Sequence, residues 1–225
     1  MDSNPLKYKR LTIISGHYGS GKTNIAVNIA KEIVETKSNV ALADLDIVNP
    51  YFRSKDSERE LEEKGIRLIC SLYANSNVDI PALPQEIYAI TDDKSLTAVL
   101  DIGGDDRGAL VLGRLSDAIK QENDYEMLMV VNRFRPETKD ADSAIEIMRE
   151  IEAASKIKFT GIINNSNLGE ETDEDLILSS LSYAEEIAEK TGVPVVMTTV
   201  CERLYNELSD KIPNLFALKL QEKYF

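Results

Sequence analysis

Residues 11–23 read Leu-Thr-Ile-Ile-Ser-Gly-His-Tyr-Gly-Ser-Gly-Lys-Thr. Leu11 to Ile14 is apolar and β-branched, the composition of a strand. A glycine-rich turn follows. Residues 22–36 then carry Ile25, Ile29 and Ile33 on one stripe with Ala26 and Ala30 beside it, the spacing of a helix. Strand, turn and helix in this order form the start of a βαβ unit.

Gly16 to Thr23 satisfies the phosphate-loop spacing through Gly16, Gly21, Lys22 and Thr23. Each part has a physical reason. Gly19 and Gly21 reach backbone conformations closed to other residues and let the chain approach phosphate oxygens. The loop amides and the helix N-terminus then face the anion. Lys22 supplies a cation for the β- and γ-phosphates, and Thr23 supplies a hydroxyl for Mg²⁺. The candidate nucleotide-binding set is Gly16, His17, Tyr18, Gly19, Ser20, Gly21, Lys22, Thr23 and Asn24. A bare glycine turn before a helix is the competing reading. The agreement of strand, loop, Lys-Thr pair and helix weighs against it.

Outward from this stretch, short apolar runs alternate with amphipathic segments. Strands are expected at Val40 to Leu45, Ile66 to Leu72, Leu96 to Ile102, Met127 to Val131, Phe159 to Ile163 and, last, Val193 to Met197. Helices are expected over 55–64, through Leu112, Leu115 and Ile119, from Ala141 to Ile151, and from Ile177 to Ala188 with Gly192 closing the last. Pro81 and Pro84 break the stretch 73–95, in which 85–91 fits a short helix. The pattern predicts an α/β fold, a three-layer sandwich with a mainly parallel sheet. No linker or repeat divides the chain, so residues 1–225 are expected to form one nucleotide-binding domain.

Two acidic strand ends follow. Asp44 and Asp46 close the second strand, and Asp101 closes Leu-Asp-Ile-Gly-Gly-Asp-Asp-Arg-Gly. An aspartate at a strand end often only forms a turn. Beside a phosphate loop, Asp46 and Asp101 read as groups that hold a Mg²⁺-bound water or orient the attacking water; for Asp44 both readings stay open. Asp105 and Asp106 read as solvated loop charges. Gly103 and Gly104 are expected to leave the next loop free to move.

The segments Gly16–Thr23, Asp44–Pro50 and Asp101–Gly104 resemble the MinD/ParA/CobQ-type branch of P-loop ATPases. The resemblance implies an ATP- and Mg²⁺-binding parallel sheet, and often a switch that dimerises around its nucleotide. It implies that Lys22 binds phosphate and Thr23 binds Mg²⁺. Asp46 would position water or metal, and Asp101 would be the Walker B acid. Asn132 would face the nucleotide, Asn164 would read the base, and backbone around Thr198 to Cys201 would border the base. One departure stands out. The family carries a second lysine one residue after the first glycine, and here that residue is His17. Arg53 or Arg107 is then a candidate for the missing charge at the γ-phosphate, as an arginine finger; a plain surface arginine is the alternative for each.

Composition limits the partners. The chain has 39 acidic and 26 basic residues, a net charge of −13. Such a surface repels nucleic acid and anionic lipid, so neither is expected as a partner. The tail with Ile212, Leu215, Phe216 and Leu218 is expected to dock on its own domain. Cys70 and Cys201 form no metal or disulfide pattern. A cytoplasmic protein follows, with an unidentified protein partner and a nucleotide-dependent homodimer as an option. No Asn/Thr-Lys-x-Asp guanine motif occurs; Thr138-Lys139-Asp140-Ala141 fails at its last position. The sequence thus favours an ATP-hydrolysing switch. A small-molecule kinase or nucleotide-dependent ligase of the same fold is the alternative, and a binding module with vestigial catalysis is a third reading.

Overall fold

The computed structural model describes residues 7–45, 55–70, 85–104 and 106–219. The strands are β1 (Leu11–Ser15), β2 (Val40–Asp44), β3 (Ile66–Cys70), β4 (Thr97–Asp101), β5 (Tyr125–Val131), β6 (Gly161–Asn164), β7 (Val195–Cys201) and β8 (Leu215–Leu218). The helices are α1 (Lys22–Ile33), α2 (Lys55–Glu63), α3 (Gln85–Asp92), α4 (Asp106–Glu122), α5 (Ala141–Ser155), α6 (Glu174–Thr191) and α7 (Glu202–Leu208).

The strands form one sheet in the order β3-β2-β4-β1-β5-β6-β7-β8, and every pairing is parallel. Each strand therefore ends at the same edge. The winding direction reverses at β1, which lies between β4 and β5. That reversal opens a crevice beyond the strand ends, the usual ligand position in such sheets.

Period-two alternation divides the core into two faces. Leu11 and Ile13 of β1, Ala98 and Leu100 of β4, and Met127, Met129 and Val131 of β5 pack with α3, α4, α5 and α6. Ile14, Val99, Leu128 and Val130 point the other way and pack with α1 and Leu61 of α2. Because both faces are covered, the central strands read as continuous apolar runs. This is the three-layer arrangement the alternation predicts. Asp140 caps α5 by accepting from the Ser143 amide at 2.9 Å, and Asp173 caps α6 by accepting from the Leu176 amide at 2.9 Å.

The main correction lies near the C-terminal end. Val193 to Met197 is not the last strand. β7 runs on to Cys201, so Thr198 to Cys201 belong to the sheet rather than to a loop after it. α7 and β8 follow, and β8 pairs with β7 from Thr198↔Leu215 to Cys201↔Leu218. The apolar tail thus docks as an edge strand. No described helix is long and apolar enough to cross a membrane.

Candidate functional site

β1 delivers the chain to the sheet's ligand edge, and residues 16–21 turn it into α1. Gly21 is the N-cap of α1, with φ +93° and no side-chain cap, and no acid lies in the first turn. The helix start therefore presents amides and a positive dipole end without internal competition. A Cβ on Gly21 would come within 2.2 Å of the Asn165 Nδ2, so the position is closed to larger residues by contact as well as by conformation. Lys22 is 5% exposed, and its Nζ donates to the His17 carbonyl at 3.1 Å. The ammonium is thus drawn back over the loop that precedes it.

Thr23 Oγ1 donates to Asp101 Oδ2 at 2.5 Å. Asp101 is fully buried and is the β4 register neighbour of Asp44 in β2. A hydroxyl and a carboxylate are hard oxygen donors, the kind Mg²⁺ takes. Among the described residues no group of three or more His, Cys, Asp or Glu could hold a metal. An ion beside Thr23 and Asp101 would complete its shell with phosphate oxygens and water, the usual Mg²⁺ pattern. The buried Ser15 and Ser20 hydroxyls, which bracket the turn, have no hydrogen-bond partner among the described residues.

The loop after Asp101 is packed against the phosphate loop. A Cβ on Gly104 would lie 2.1 Å from the Gly16 carbonyl oxygen. The absence of a side chain at Gly104 admits close contact between the two loops. His17 lies beside its neighbours, with Nδ1 3.0 Å from the Tyr18 carbonyl and 4.0 Å from Glu137. Tyr18 is 64% exposed. The Asn24 backbone carbonyl accepts from the Asn28 side chain at 2.8 Å.

The two asparagines expected at the nucleotide are both held by internal hydrogen bonds. Asn164 is fully buried; its Nδ2 donates to Ser180 Oγ at 2.9 Å, and its Oδ1 accepts from Ser166 Oγ at 2.7 Å. In this arrangement it braces α6 against β6. Asn132 is likewise internal. Its Oδ1 accepts from the Phe134 amide at 3.0 Å, and its Nδ2 donates to the Asn167 carbonyl at 3.3 Å. It shapes the loop after β5.

The structure brings other residues to the loop. Asn165 Nδ2 donates to the Ser20 carbonyl at 2.6 Å, while its Oδ1 accepts from Thr199 Oγ1 at 2.6 Å. It thus ties β6 and β7 to the phosphate turn. Strand alternation is the sequence signal for it: Asn164 ends β6 inside the sheet, and the next residue leaves the strand. Arg135 has no such signal, yet its side chain lies against Gly19. Asp46 and Arg53 lie outside the described residues, as does the side chain of Arg107 in the first turn of α4.

The model of the CobQ/CobB/MinD/ParA nucleotide binding domain matches residues 11–195. Among curated proteins no significant sequence match was found. Solved structures with a similar fold include the cell division protein FtsY of Thermotoga maritima, with 19% identity and TM-score 0.54 over 88% of this chain and 64% of that one. Chloroplast FtsY of Physcomitrella patens matches with 17% identity and TM-score 0.54 over 87% and 60%. FlhF complexed with GTP/Mg²⁺ matches with 14% identity and TM-score 0.52 over 87% and 67%. The chain thus spans 60–67% of the length of these proteins. At such identities the likeness concerns the fold.

Proposed function

The chain belongs to the CobQ/CobB/MinD/ParA nucleotide-binding domain family, and on that premise we propose that it binds Mg-ATP and hydrolyses it as a cytoplasmic switch acting on a protein partner. The observation that carries this reading is the open start of α1, with Lys22 folded over the turn and Thr23 bonded to Asp101. Loop amides and Lys22 bind the phosphates. Thr23 and Asp101 hold the magnesium side, and Asp46 is assigned to the attacking water. A bound Mg²⁺ supplies charge neutralisation between the phosphate oxygens. The GTP and Mg²⁺ that FlhF holds in a similar fold support a magnesium–nucleotide ligand. For the base, the missing guanine tetrapeptide favours adenine. The base reader that the family resemblance implies is Asn164, at the end of β6, and the bonded pair Asn165 and Thr199 ties that strand end to β7 beside the turn.

Hydrolysis is assigned to an exposed catalytic face that a partner or a second copy can reach. Tyr18 (64% exposed) and Leu110 (58% exposed) supply apolar surface on the phosphate loop and on α4, which follows the Asp101 loop. Titration calorimetry of ATP and GTP, with and without Mg²⁺, on wild type and Lys22→Ala tests the proposal. The expected result is Mg²⁺-dependent ATP binding that Lys22→Ala removes. Tighter GTP binding would replace ATP by GTP, and no binding of either would overturn the reading. Incubation with ATP and cell metabolites separates a switch from a kinase, because only a kinase yields a phosphorylated small molecule.

A further inference from the structure

The loop joining β5 to α5 is built as a rigid bracket. The Arg135 amide donates to the Asn132 carbonyl at 3.1 Å, and the Thr138 amide donates to the Arg135 carbonyl at 3.1 Å. Thr138 Oγ1 donates to the Asn132 carbonyl at 2.7 Å, and Tyr183 Oη on α6 donates to the Thr138 carbonyl at 2.7 Å. The Arg133 amide donates to Ser166 Oγ at 3.1 Å. Five hydrogen bonds thus hold a short loop from both sides.

The bracket presents Arg135 to the phosphate turn. Its Nε and Cζ lie 3.5 and 3.6 Å from where a Gly19 Cβ would stand. The residue is exposed, and among the described residues its guanidinium has no hydrogen-bond or ion-pair partner. In a chain of net charge −13, an arginine fork that stands unpaired beside an anion-binding turn is a prepared phosphate contact.

We infer that Arg135 contacts the terminal phosphate of the bound nucleoside triphosphate and supplies the second positive charge that His17 does not. This rests on the nucleotide reading above. The amides at the start of α1 cradle the inner phosphates, so the opposite limb of the turn, with Gly19 and Arg135, faces the outer one. The bracket fixes the Arg135 backbone in advance, so only the side chain has to order when the ligand arrives. Arg135 therefore distinguishes triphosphate from diphosphate, whereas Lys22 serves both.

The test measures affinity for ADP and for a non-hydrolysable ATP analogue, with Mg²⁺, in wild type, Arg135→Ala, Arg135→Lys and Lys22→Ala. Arg135→Ala is expected to weaken the analogue by about tenfold or more while ADP changes by less than about twofold. Arg135→Lys should recover part of the difference, since it restores a point charge without the fork. Lys22→Ala should weaken both ligands. Arg135 is exposed and anchored only through backbone groups, so its variants are expected to fold; circular dichroism checks this. An unchanged analogue-to-ADP ratio in Arg135→Ala overturns the inference while the nucleotide reading stands. A wild-type chain that binds neither ligand overturns both.

Discussion

Thr23 Oγ1 donates a hydrogen bond to Asp101 Oδ2 at 2.5 Å, which joins the first turn of α1 to the end of β4. The bond fixes the hydroxyl rotor and leaves the oxygen's lone pairs for a cation. Thr23→Val keeps the side-chain shape and removes the oxygen. It is expected to lower nucleotide affinity by about tenfold in Mg²⁺ and to change it little in EDTA. Calorimetry in the two buffers checks this, and equal losses in both would remove Thr23 from the metal side.

The contact between Gly104 and Gly16 makes a second prediction. Gly104 has no left-handed backbone, so an alanine there meets only an obstacle, the Gly16 carbonyl oxygen 2.1 Å away. One of the two loops must move. Gly104→Ala is expected to cost roughly 1–3 kcal/mol of stability and to weaken nucleotide binding at the same time. Denaturant melts and calorimetry measure the pair of effects; a stability loss with unchanged affinity would show that the loops move independently.

Arg53 and Arg107 stand as candidates for a transition-state charge. If either acts as an arginine finger, its alanine variant lowers single-turnover ATP hydrolysis by about 10³-fold. Unchanged rates in both variants would assign neither to that role and leave Arg135 as the charge to examine.

Glu126, at the start of β5 and far from the ligand edge, makes a prediction about pH. Burial pushes its carboxyl above the usual range, opposed by the Thr12 hydroxyl and the Lys9 amide, which donate to it at 2.8 and 3.2 Å. The folded state therefore holds this proton more tightly than the unfolded chain. The resulting stability is complete below the ordinary carboxyl range and is lost as pH rises through the raised value. Glu126→Gln keeps an acceptor for Thr12 and Lys9 and removes the buried charge. Its melting temperature should exceed that of wild type by ~2 °C near neutral pH and match it near pH 4. Nucleotide affinity should stay unchanged.

The central fold was legible because it rests on local periodicity. The run Leu96 to Ile102 read as a strand covered on both faces, and β4 is buried throughout. Gly192 read as the end of α6 and closes it with φ +75°. α1 stops at Ile33, short of the expected residue 36, with no glycine or proline there to mark the end. β8 was not legible as a strand, since Leu-Phe-Ala-Leu is only four residues and its place comes from the free edge of β7. In the site, the phosphate turn announced itself through glycine spacing. Strand alternation separates Asn165 from Asn164 only once the end of β6 is known, and the expected strand stopped one residue earlier, at Ile163. Arg135 was invisible for a similar reason: only the fold of the loop after Asn132 carries it to Gly19.

The order of the strands also governs how the chain is born. β2 and β3 are close in sequence and can pair soon after synthesis. β1, which carries the phosphate turn, has to wait for β4 and β5, whose first residues are Thr97 and Tyr125. Until the ribosome has supplied both, the most apolar stretch of the N-terminal region stands without hydrogen-bonded neighbours, a substrate for chaperones and a hazard for aggregation. Any fragment that stops before residue 97 keeps every glycine of the turn and still lacks the frame that shapes it.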